Sequence, residues 1–362
     1  RRMKILIPHI SKGQQHRVDS DTVFGGLQMF VKNIVDVLDY DIQVLEITEE
    51  DRENSRTKKT FLDTMWYFEP DLIITNDIDR CFVNQQINNN IPTIAIMHEP
   101  LVKDVRYLEW AKHIQKFIDA GGHLYFVSKN QQKFFEKFVH RVSGNPLTGV
   151  KGLIHSSFAY GNETVSKDIN FDAATIGRTD VTKNPFILHK KLQHTDLTSC
   201  VITNQNGHSS KEAQTKYISD NSHWDNPQYT FRGLNHKETL KLMASSHCFV
   251  STMTSESWGI TSLEALTRGL PVILLCDKTN EHSSELIPVD TKHYRKVSKN
   301  IEENELADVI KEFSKYSYED RIAISEATKK KHSREDWKKR LEFIIEERIN
   351  DKKEYYKLFD YC

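Results

Sequence analysis

Residues 254–275 read TSESWGITSLEALTRGLPVILL and set two carboxylates, Glu256 and Glu264, eight positions apart around a Trp-Gly pair. The run HCFVSTM before them has the character of a buried strand, and ITSLEALTRG after them has helical spacing. A carboxylate accepts hydrogen bonds from a diol, and a helix start offers backbone N–H groups to an anion. Gly259, Ile260 and Thr261 would supply those groups, with the helix beginning near Thr261. Glu264 would lie about one turn inside, able to hold a ribose, and Glu256 would stand on the loop at the strand mouth. A plain alternative stands beside this: Thr261 followed by Glu264 is also the pattern of a capping box, which closes a helix end and binds nothing.

Three further stretches carry residues of chemical interest. VFGGLQMF puts Gly25 and Gly26 before a helical pattern, where glycines let the backbone approach a diphosphate or simply make a turn. IAIMHEP ends a strand on His98 and Glu99, and a lone His at a strand end more often serves the fold than chemistry. IGRTDVTKNP carries Arg178 and Lys183 after another strand; a guanidinium and an ammonium together neutralise a leaving diphosphate, or they are solvated loop charges. YTFRGLN runs into Asn235 and Glu238, which read as a helix cap.

These residues need a scaffold that carries strand ends to one edge. Short apolar runs (KILIPHI, DIQVLEI, DLIITND, TIAIMHE, HLYFVSK) alternate with helical patterns, the signature of an open parallel sheet wound with helices. After about residue 160 the rhythm restarts with AATIGRT, SCVITN, YTFRGL, HCFVSTM and LPVILLC. The chain of 362 residues exceeds one ordinary core, so an α/β protein of two Rossmann-like domains is expected. We place an N-terminal domain at 1–160, a second at 161–338, and a helical tail at 339–362 packing back on the first. No run of eighteen apolar residues and no signal-peptide pattern is visible, and the five cysteines form no C-x-x-C pair, so a cytoplasmic protein without structural zinc is expected. The net charge of −1 excludes nucleic-acid binding through overall charge and leaves a local basic surface.

The segment ESWGITSLEALTRGLPV resembles the E-x(7)-E signature of retaining nucleotide-sugar glycosyltransferases of the GT-B fold, family 4 type. The resemblance implies two Rossmann-like domains facing a cleft, with Glu264 on the nucleotide ribose and Glu256 on the donor sugar. It also implies the glycine loop (Gly25, Gly26), Arg178, Lys183 and the helix start Gly259–Thr261 on the donor diphosphate, and His98 and Glu99 as catalytic-site residues. Asn184 departs from the pattern, since the family usually has Gly there. No metal requirement is expected, and the donor implied is a UDP-sugar, UDP-glucose or UDP-arabinose.

For the acceptor, IGRT, the spaced Lys and the His-acid pair are similar to the T-even bacteriophage DNA α-glucosyltransferases and their arabinosyltransferase relatives. That implies double-stranded DNA containing 5-hydroxymethylcytosine as partner, in the cytoplasm of a phage-infected cell, with a monomeric enzyme and no stable membrane association. From Lys103 to Lys151 basic residues outnumber acidic ones by roughly two to one, and SKNQQKFFEKFVHR spaces Lys129, Lys133, Lys137 and Arg141 along one helical face. Two alternatives stay open: transfer to a cell-surface glycan or lipid, and a UDP-sugar epimerase or non-catalytic binding protein on the same fold.

Overall fold

The structure, a computed structural model, describes residues 1–11, 26–48, 55–76, 91–98, 106–160, 164–179, 183–203, 228–253, 256–276 and 291–359. The chain divides into two compact units. Unit 1 comprises Arg1–Ser157 and Arg334–Cys362, and unit 2 comprises Phe158–Ser333.

Unit 1 runs β1 (Lys4–Ser11), α1 (Gly26–Val37), β2 (Asp41–Thr48), α2 (Ser55–Phe68), β3 (Leu72–Asn76) and β4 (Thr93–Met97). It continues through α3 (Arg106–Asp119), β5 (His123–Phe126), α4 (Lys129–Ser143) and β6 (Gly152–Leu153). The strands form one parallel sheet in the order β2-β1-β3-β4-β5-β6. A parallel sheet must be covered on both faces, and β4 and β5 are accordingly buried at every position. Phe117, Phe135 and Val139 close the core over Ala95, Met97, Leu124 and Phe126.

Helix α4 shows how sequence sets an element's ends. Ser128 caps it by accepting from the Gln131 N–H, and Gly144 ends it in the left-handed region at φ 76°. Its buried face carries Gln131, Phe135 and Val139. Lys129, Lys133, Lys137 and Arg141 all point to solvent, four cations in a stripe about 18 Å long.

Unit 2 runs β7 (Phe171–Ile176), α5 (Ile187–Leu192), β8 (Ser199–Thr203), β9 (Gln228–Arg232), α6 (His236–Ala244) and β10 (Ser246–Ser251). It then runs α7 (Ile260–Thr267), β11 (Val272–Cys276), β12 (Tyr294–Ser298), α8 (Glu303–Phe313) and α9 (Tyr318–Lys331). Its sheet is again parallel, in the order β12-β11-β10-β7-β8-β9. The inner strand β8 is wholly buried, whereas the edge strands β9 and β12 are mostly exposed. The two doubly wound parallel sheets are those read from the alternating runs.

The last helix, α10 (Arg334–Phe359), belongs to unit 1. Polar contacts hold it there: Trp337 Nε1 donates to the His155 carbonyl at 2.8 Å, and the Tyr125 hydroxyl donates to Glu347 at 2.8 Å. His123 Nε2 lies 2.7 Å from Asp351 Oδ2. Among the described residues no helix is long and apolar enough to cross a membrane.

One buried histidine makes the stability of unit 2 depend on pH. His189 of α5 is fully buried, with Nδ1 2.6 Å from Ser199 Oγ and Nε2 3.1 Å from Thr230 Oγ1. Loss of hydration on burial pushes its pKa down to about 4. The unfolded chain takes up this proton near pH 6.5, so between pH 6.5 and about 4 it binds more protons than the folded unit. Stability is therefore full above pH 6.5 and falls with acidification, by at most about 1.4 kcal/mol per pH unit from this group. Thermal melts from pH 7.5 to 4.5 should show the loss, and His189→Gln should flatten it; an unchanged slope in that variant would assign the loss to other groups.

Candidate functional site

In each sheet the first strand is flanked by strands reached in opposite directions along the chain. The carboxyl ends of such a switch point are where open α/β sheets bind ligands. In unit 2 the switch lies between β7 and β10. Arg178 and Lys183 follow β7, and Glu256 and Gly259 follow β10, so the topology brings together residues more than seventy positions apart.

The side chains meet there. Lys183 Nζ is 3.0 Å from Glu256 Oε2, with 20% and 14% of the two side chains exposed. The same nitrogen is 3.1 Å from the Met253 sulfur. Thr252 Oγ1 donates to the Lys183 carbonyl at 2.8 Å, which ties the loop after β7 to the end of β10. Gly177 makes room for that loop to double back, since a Cβ there would come within 3.2 Å of Lys183 Cβ. Arg178 is half-buried on the same loop.

Asn184, the departure from the Gly of the resembled pattern, has φ 41°. This is the left-handed region, free to glycine and tolerated best by asparagine among the other residues. The substitution thus keeps the backbone path that glycine would take. Asn184→Gly should leave the melting temperature within a degree or two. Asn184→Val should cost about 1–2 kcal/mol in chemical denaturation; a valine variant as stable as the parent would contradict the assigned backbone.

The second carboxylate is held differently. Helix α7 starts at Ile260, its N-cap is Gly259 at φ 94°, and no side chain caps it. Thr261 is therefore the second helical residue and does not close a capping box with Glu264, because glycine in the left-handed region starts the helix two residues earlier. The Glu264 carboxylate turns instead to His236, with 2.7 Å between Oε1 and Nε2. His236 is the first residue of α6, a helix closed by a true capping box between Asn235 and Glu238, as expected for that pair. With no capping side chain, the first-turn N–H groups of α7 keep the character of an anion site. Trp258, between the two carboxylates, is buried edge-on against His332 at 5.6 Å and anchors the loop that carries Glu256. Sequence reading missed both His236 and Trp258. A loop tryptophan between polar residues was the one available signal; for His236, flanked by its capping pair, there was none.

Unit 1 holds the remaining candidates. Gly26 is the first, exposed residue of α1, and Gly25 and Glu99 lie outside the described residues. His98 follows β4 at the carboxyl edge, its ring packed on Phe30 at 4.4 Å with Nδ1 3.5 Å from Ser156 Oγ. The ring keeps some exposed surface, yet the protein around it strips enough water to push its pKa down to about 3. It is neutral at physiological pH, suited to hydrogen-bonding a hydroxyl and unable to act as a cationic acid. Among the described residues no group of three or more His, Cys, Asp or Glu side chains is placed to hold a metal ion.

Residues 163–331 match the family model described as Glycosyl transferases group 1. The matched stretch contains the Lys183–Glu256 pair, the Glu264–His236 pair and the start of α7. No curated protein sequence matches the chain. Among solved structures it is similar to the HepE protein of Anabaena in complex with UDP and glucose, with TM-score 0.68 and 15% identity, covering 95% of this chain and 100% of that one. Sucrose-phosphate synthase from Thermosynechococcus elongatus gives TM-score 0.67 at 12% identity, with both chains fully covered. TarM gives 0.58 at 14% identity over 77% of this chain, which spans about half (54%) of TarM's length. These likenesses show the fold alone, which is GT-B.

Proposed function

We propose that the chain transfers the sugar of a UDP-sugar, glucose or arabinose, with retention of configuration, to 5-hydroxymethylcytosine in double-stranded phage DNA. The observation that carries the donor reading is the convergence of Lys183, Glu256 and the start of α7 at the β7/β10 switch point. An ammonium and unpaired first-turn N–H groups are what a departing diphosphate needs as negative charge grows on it. HepE, similar in fold, is complexed with UDP and glucose, which supports the same donor class here.

In this reading the bond from sugar C1 to the diphosphate oxygen breaks while C1 bonds to the acceptor hydroxyl oxygen. The acceptor proton passes to the departing phosphate oxygen on the same face. Glu256 is engaged by Lys183, so it serves to hold that cation and to meet the sugar rather than to attack C1. Neutral His98 and Glu99 would orient hydroxyl groups of donor or acceptor. No step calls on a metal ion.

The acceptor reading rests on the solvent-facing cations of α4, Lys129, Lys133, Lys137 and Arg141, whose row suits a phosphate backbone despite the net charge of −1. A mass-spectrometric screen of UDP-sugars against hydroxymethylcytosine duplexes tests both parts. The expected result is a gain of one hexose or pentose on the DNA. UDP binding with no mass gain on DNA would remove DNA as acceptor and leave the donor reading; absence of UDP binding at millimolar concentration would remove both.

A further inference from the structure

We infer that His236 is a positioning residue for the donor: it holds the Glu264 carboxylate by Oε1 and so presents Oε2 to the ribose diol of the nucleotide. The inference rests on the donor reading above and adds a residue to it.

The argument begins with the start of α6. Asn235 accepts from the Glu238 N–H at 2.9 Å, and Glu238 accepts from the Asn235 N–H at 3.0 Å. This reciprocal cap fixes the first turn, and His236 is the residue immediately inside it. Gly233, at φ 70°, turns the chain from β9 into that cap. His236 thereby reaches α7, and its Nε2 meets Glu264 Oε1 at 2.7 Å, a length proper to a bond to a charged acceptor. Glu264 is nearly buried, and among the described residues Oε2 has no partner. Glutamate has three side-chain torsions, and ordering them on binding weakens affinity. A carboxylate already clamped on one oxygen has lost that freedom before the nucleotide arrives. The helix cap at 235–238 is thus the footing of a binding group on another helix.

Titration calorimetry with UDP tests this on the full chain and on His236→Ala, His236→Gln and Glu264→Ala. His236→Ala should weaken UDP about tenfold, the effect of freeing one long side chain, while kcat at saturating donor changes less than twofold. His236→Gln, whose amide nitrogen lies near the position of Nε2, should restore most of the affinity. His236→Ala combined with Glu264→Ala should bind no more weakly than Glu264→Ala alone, because the histidine acts only through the carboxylate. If Glu264→Ala weakens UDP while His236→Ala, shown folded by its melting curve, does not, the inference falls and the donor reading stands. Equal weakening in the folded Ala and Gln variants would also overturn it. A parent protein that does not bind UDP would overturn the donor reading itself, and this inference with it.

Discussion

Replacing Lys183 by alanine is expected to lower kcat by about two to three orders of magnitude, the loss typical of removing one group that stabilises charge in a transition state. The ammonium lies 3.0 Å from Glu256 in a half-buried setting, where charges are screened less than at an open surface. Its loss removes the cation proposed to meet the leaving diphosphate and leaves the Glu256 carboxylate without its counter-charge. Two variants separate these effects. Glu256→Gln keeps the shape and removes the negative charge, and a double variant of Lys183 and Glu256 should fall well short of the summed losses, because the two act as a unit. Lys183→Arg should recover only part of the rate, since a planar fork does not replace a point charge. The measurement is kcat at saturating UDP-sugar with melting curves alongside. A folded Lys183→Ala enzyme turning over at the parental rate would exclude the residue from the chemistry.

Glu264→Ala should act on affinity, weakening UDP about a hundredfold, the worth of one or two hydrogen bonds to a charged acceptor. Since the carboxylate is proposed to hold the ribose diol, the variant should also lose discrimination between UDP and its 2′-deoxy counterpart. Parental discrimination retained in Glu264→Ala would assign the ribose to another group. Unchanged affinity for UDP would reduce Glu264 to a structural partner of His236.

The parallel-sheet halves were legible because buried strands and amphipathic helices have different periods, and both recur along this chain. The cationic row of α4 was legible for the same reason, its members standing four residues apart. Local pattern could not decide between two stretches that look alike. Asn235 with Glu238 and Thr261 with Glu264 share one spacing, yet only the first is a capping box. What separates them is the left-handed backbone of Gly259, a conformation rather than a residue pattern. Contacts across the fold were further out of reach. Lys183 meets Glu256 because β7 and β10 are neighbours in the sheet, and His236 meets Glu264 across two helices. Asn184 marked a departure in sequence, and its φ of 41° explains why that departure is conservative.

The hydrogen bond from the Ala159 N–H to the His332 carbonyl, 2.7 Å long, joins the entrance of unit 2 to its exit. On the other side of the same crossings, Asn33 of α1 donates to Ser157 Oγ at 3.0 Å, and Arg334 donates to the Asp36 carbonyl at 2.8 Å. Residues 158–333 are therefore a cassette spliced into a host whose two cut ends are moored to one helix. A module with adjacent termini can be exchanged as a block; under the proposed function, a chimera built at these seams would change the sugar delivered and leave the proposed acceptor-binding part unaltered.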